Sequence, residues 1–159
     1  MGIPKARQED KAEPPIILSD INSLHQCQLD LCNALEKLAD QLPDNIDTQE
    51  CLHLARMIYP TVKSAHAFEE NKLFPYLTSH FSQQINPQTL DRLHCEHWED
   101  ESFACEVQEA LLSLVKKPEW ANHEALGYML RGFFEGLRRH IAFERDLLNQ
   151  LLKPNTLLN

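Results

Sequence analysis

His66 and Glu70 stand four residues apart in the chain, and so do His140 and Glu144. On an α-helix, residues at that spacing lie one above the other on one face. Each pair therefore offers an imidazole nitrogen and a carboxylate oxygen side by side, which is half of a site for a transition-metal cation. Phe68 and Phe143 lie inside the two copies, so each polar pair has an apolar partner. One such pair alone is most often a hydrogen-bonded pair at a helix surface. Two copies, at places that can be brought together, point to a buried centre.

Helices can carry these residues to one level, and the composition favours helices. The chain has 159 residues, enough for one domain with a sizeable core. Hydrophobic residues make up 43% and charged residues 25%, an ordinary globular balance, and only 4 glycines occur. Residues 1–18 read as an N-terminal tail, flexible or loosely docked, with Ser19 or Asp20 able to cap the first helix. Ile21, Leu24, Leu31, Leu35 and Leu38 then recur at a helical period. Asp47 caps a second helix expected over 48–81, which Pro60 and Pro75 should kink or divide. Its apolar stripe runs through Leu52, Ala55, Ile58, Val62, Ala65, Glu69 and Leu73. Asn86-Pro87 opens a third helix to about Lys117, and Pro118 begins a fourth to about Leu152. The remainder, 153–159, reads as a C-terminal tail. The expected fold is all-α, an up-down-up-down four-helix bundle over 19–152.

In antiparallel helices, residues equidistant from the connecting turn share a level. His97 lies about 21 residues before the third turn and His140 about 22 after it, so at 1.5 Å per residue they meet. His66 and Glu70 fall opposite residues near 97. His25, on the first helix, comes level a few residues from His66. One layer then holds His25, His66, Glu70, His97, His140 and Glu144. Four imidazoles and two carboxylates facing one core are costly to bury without a cation. With two iron ions the carboxylates can bridge and the cost is removed.

These residues resemble a known family. His25, the run His66-x-x-x-Glu70 followed by Leu73-Phe74-Pro75-Tyr76-Leu77, the pair Glu96-His97, and His140-x-x-x-Glu144 are similar to the hemerythrin-like, His-His-Glu cation-binding domain. The similarity spans about 19–152. It implies a non-haem, carboxylate-bridged di-iron site held by those six side chains, with room for O2, NO or peroxide. Zinc or manganese could substitute, since such nitrogen and oxygen donors select weakly among divalent metals. Unlike the oxygen carriers of the family, the chain has Leu93 four residues before His97. Its fourth helix ends the motif in His-x-x-x-Glu. That set is more like the family's iron–sulfur repair and regulatory branches. His94 could supply a fifth nitrogen, although its offset from His97 points it to a neighbouring face.

The other polar groups read more plainly. Glu69 is a solvated charge or an acceptor for a ligand imidazole. His53, His80 and His123 are surface residues. Cys27 and Cys95, each two residues from a ligand histidine, point away from the layer and read as small buried apolar groups.

A net charge of −9 disfavours nucleic acid and anionic membranes as partners. No apolar run is long enough to span a membrane. Five cysteines without a C-x-x-C pair, and a polar start, suggest a reducing cytoplasm. Three functions compete. The first is a di-iron binder that engages O2, NO, peroxide or iron in sensing or a stress response, with a redox or signalling protein as partner. The second is a di-iron peroxidase or NO-handling enzyme, which would need an electron donor. The third is a metal-free helical interaction module. No catalytic residue is assigned.

Overall fold

The computed structural model describes residues 14–153. The helices are α1 (Pro14–Gln41), α2 (Thr48–Phe68), α3 (Phe74–His80), α4 (Pro87–Lys116) and α5 (His123–Leu152). A π turn, Glu69–Leu73, joins α2 to α3, so the two form one rod. α1 packs on α2 and α5, α2 packs on α4, and α4 packs on α5. The result is the expected all-helical bundle of four antiparallel rods.

Helix starts reflect local chemistry. The Asp47 carboxylate accepts from the Gln49 and Glu50 amides at 2.8 and 3.1 Å. Asn86 Oδ1 accepts from Gln88 N at 3.0 Å, with Pro87 in the first turn where its missing N–H costs nothing. α1 starts at Pro14, ahead of the expected cap at Ser19 or Asp20, because prolines are equally at home in a first turn. The expected tail at 1–18 is therefore helical from Pro14 on, and 1–13 and 154–159 lie outside the described residues. The fourth rod begins later than Pro118. Residues Pro118–Trp120 form a 3-10 turn, and Asn122 caps α5 by accepting from Ala125 N at 3.0 Å.

The two internal prolines differ in effect. Pro60 sits within α2 and does not break it, and its exposed position lets water serve the carbonyl that loses a partner. Pro75 lies in the first turn of α3, just past the π turn, so the expected division of the second helix falls there.

The core is in two parts. The larger includes Leu35, Ile58, Val62, Ala104, Leu111, Leu130, Phe133 and Phe134. The smaller, toward the other end, holds Ile17, Ile21, Leu73, Phe74, Leu77, Ile85, Leu93 and Leu148. Each fully buried side chain of this size contributes about 1.5–3 kcal/mol. Arg138 ties α1 to α5 outside the core, with bonds to Glu36 and Asn33 and its guanidinium over the Phe134 ring.

Candidate metal centre

A polar layer lies between the two apolar clusters. His25 comes from α1, His66 from α2, Glu69 from the π turn, His97 from α4, and His140 and Glu144 from α5. All six are at most 5% exposed. Burying that many ionisable groups without partners would be strongly unfavourable, so their mutual arrangement decides what the layer does.

The two carboxylates span the layer in the same way. Glu69 Oε1 is 3.5 Å from His25 Nε2, while its Oε2 is 2.8 Å from His97 Nε2. Glu144 Oε2 is 2.9 Å from His25 Nε2, and its Oε1 is 3.7 Å from His97 Nε2 and 3.5 Å from His140 Nε2. Each carboxylate thus turns one oxygen toward His25 and the other toward the remaining imidazoles. The donors fall into two groups, His66–Glu69–His97–His140 and His25–Glu69–Glu144, with all atoms in each group within 4.8 Å of one another. The rings of His66 and His97 stack at 3.9 Å.

The far side of each of the three clustered imidazoles is tied to an acid. His66 Nδ1 donates to Glu101 Oε1 at 3.2 Å, His97 Nδ1 to Glu70 Oε1 at 2.8 Å, and His140 Nδ1 to Glu96 Oε2 at 3.1 Å. Such acceptors fix the ring orientation and make the inward nitrogen more basic.

This arrangement sets the charges. Burial opposes protonation of His97, but the close carboxylates of Glu144, Glu69 and Glu70 outweigh it and push its pKa to about 10. His25 and His140 are raised likewise, against burial, by Glu144 and other carboxylates. Burial also works against the Glu144 anion, yet its histidine partners hold it well below the usual carboxylate range. His66 goes the other way. Burial and the neighbouring His97 and His140 charges lower it to about 3, so it is neutral. With its Nδ1 hydrogen given to Glu101, His66 Nε2 carries a lone pair into the layer.

The donor set suits a cation. Buried atoms without a hydrogen-bond partner include His66 Nε2, His97 Nε2, His140 Nε2, both Glu69 oxygens and Glu144 Oε1. His97 Nε2 and Glu69 Oε2 are close, at 2.8 Å, yet misaligned for a hydrogen bond. Ligand atoms about 2.1 Å from a cation and at right angles to one another stand about 3.0 Å apart. Short contacts without hydrogen-bond alignment are what such a set looks like.

Five of the six expected residues, His25, His66, His97, His140 and Glu144, lie in this layer. Glu70 does not. It is 37% exposed and bonds His97 from outside, with His94 Nδ1 also 3.3 Å away. With His94 and His97 it forms a third, more open group of donors within 4.8 Å of one another, while the carboxylate that the second rod places inside the layer is Glu69, fully buried rather than solvated. The apolar stripe of the second helix, Val62, Ala65, Glu69, Leu73, already contained that carboxylate, and the π turn keeps it inward. The sequence assigns no separate role to Glu96, Asp100 and Glu101, which lie on α4 beside His97 and face His140, His140 and His66 respectively. Cys27 and Cys95 are exposed, not buried, because in a four-helix bundle the direction away from the layer is solvent.

The fold and layer define a helical cation-binding domain. The hemerythrin HHE cation-binding family profile matches residues 17–152, and the chain belongs to that family. No curated protein and no solved structure shows significant similarity to the chain.

Proposed function

We propose that the chain is a non-haem di-iron protein that engages a small ligand, O2, NO, peroxide or iron itself, in sensing or a stress response. One observation carries the reading. Glu69 and Glu144 each direct one oxygen to His25 and one to the His66–His97–His140 group, as two bridging carboxylates would. His66, His97 and His140 would hold one iron and His25 the other. Bound iron supplies a redox-active Lewis acid to which a small ligand can add. The chain's own part is to hold the donors and keep bulk water away. Phe74 stacks on His97 at 5.6 Å and walls the layer on the side of the smaller cluster. A reducing compartment such as the cytoplasm suits five free thiols. A redox or signalling protein would be the partner that reads the ligand state.

Elemental analysis and optical spectra of anaerobically purified protein, before and after air, test the reading. About two irons per chain are expected, with oxo-bridge absorption growing in air. His66→Ala and His140→Ala should lose iron, and the surface variant His53→Ala should keep it. Equal iron content in all three ends the assignment. Many turnovers of peroxide or NO with an added reductant would replace a binder with a di-iron enzyme.

A further inference from the structure

One buried polar residue takes no part in the donor layer. Gln28, on α1, is fully buried, and neither its amide nitrogen nor its amide oxygen has a hydrogen-bond partner. A primary amide offers two donors and accepts at its oxygen. Leaving such a group unsatisfied in an apolar interior is costly. A Leu or Met would fill the same space without that cost.

Its place in the fold says what it could serve. Gln28 lies three residues beyond His25, so both are on the inward face of α1. Three residues along a helix is about 4.5 Å. α2 runs in the opposite direction, so the level of Gln28 is that of His66, three residues before Glu69. There the donor layer gives way to the larger apolar cluster, which contains Leu31, Cys32, Val62 and Ile141. Gln28 is a polar side chain on the apolar flank of the layer.

The two donor groups are also unequal. Three imidazoles serve one group, whereas His25 is the sole imidazole of the other, beside the two shared carboxylates. A cation at His25 would therefore have three protein donors, few enough to leave room for an added ligand. His25 is one helical turn from Gln28.

We propose that Gln28 is the hydrogen-bond donor to a small anionic or diatomic ligand that adds to the metal pair on its His25 side. The inference rests on the di-iron reading and deepens it, since it names the protein group that recognises the ligand. The amide nitrogen donates to the ligand, and the larger cluster excludes competing water.

Azide is the probe. Gln28→Met keeps the length and removes the donor, and Gln28→Leu is the second variant. Iron content, azide affinity measured by its charge-transfer band, and the melting temperature of the metal-free protein are determined for each. Both variants should hold as much iron as the wild type and bind azide roughly tenfold or more weakly, since a hydrogen bond to a charged group is worth about 1.5–3 kcal/mol. Their metal-free forms should melt at the same temperature or higher. Unchanged azide affinity overturns the proposal. So does loss of one iron, which would make Gln28 a metal ligand, or a lower metal-free melting temperature in both variants, which would make it a structural residue. Wild-type protein that takes up no iron at all defeats the di-iron reading itself, and that result is seen before azide is added.

Discussion

Glu69 and Glu70 are neighbours with opposite placements. Glu69 is fully buried with both oxygens in the donor layer, and Glu70 bonds the back of His97 at the rim. Glu69→Ala should abolish binding of at least one iron. Glu70→Ala should keep both and weaken affinity by about 10–100-fold, the usual loss for an outer hydrogen-bond partner. Metal titration of the two variants separates them, and the reverse order would return Glu70 to the layer. The four-residue spacing from His66 made Glu70 legible in the sequence and obscured Glu69, although only Glu69 continued the apolar stripe. The histidines were easier to place, because each lay on an inward face at a level that helix length alone sets. Protonation gives a second test. His97 has a folded pKa near 10, above its unfolded value, so its contribution to metal-free stability is present below about pH 6.5 and is lost as pH rises toward 10. Melting of chelator-treated protein should fall over that window, whereas melting of the iron-loaded protein should change far less. A flat metal-free profile would mean that His97 is not held by its three carboxylates.

The π turn is the element that sets this placement. The Phe74 amide bonds the Glu69 carbonyl, one residue further back than in an α-helix. Asn71 Nδ2 donates to the Ala67 carbonyl at 2.7 Å and so serves the widened turn. The turn holds one extra residue without rotating α3 out of register, and that is visible in the burial of Glu69, Leu73, Phe74 and Leu77. Deleting exposed Asn71 would respace these to i, i+3, i+4 and i+7, the period of an unbroken α-helix. The deletion should therefore fold, with a melting temperature within about 5 °C of wild type. Deleting Ser64 should not, since it rotates His66 and Glu69 about 100° away from Val62 and the stripe before them. Circular dichroism and melting of the two deletions would decide this, and equal damage from both would remove the π turn as an accommodating element. Pro75 announced a break in the sequence, but no residue type marks an i+5 turn, so its position was not legible. The 3-10 turn at Pro118 was missed for a related reason. Proline starts either helix type, and the Asn122 cap four residues on was the better signal.

The whole molecule was more legible than its joints. Helical periodicity and short loops give four rods, and four rods with inward histidines give one polar level. What the pattern does not display is how unequal the two sides of that level are. The larger cluster runs through all four rods, whereas the smaller one depends on α3, the first turns of α1 and α4, and the end of α5. Ile17, Ile21, Leu93 and Leu148 share helices with the larger cluster, but among the described residues the layer of imidazoles and carboxylates lies between the two sets of apolar side chains. Bound cations favour the intact layer by about 1.4 kcal/mol for each tenfold of free metal above the dissociation constant. Removing metal should then speed amide hydrogen exchange in α3 and the start of α4 by about tenfold or more, and leave the amides around Leu35, Ile58 and Leu130 nearly unchanged. Uniform acceleration along the chain would mean that the two clusters open together. Cooperativity in this bundle should therefore be conditional: with cations the chain is expected to melt as a single unit, and without them one end should open while the other stays folded.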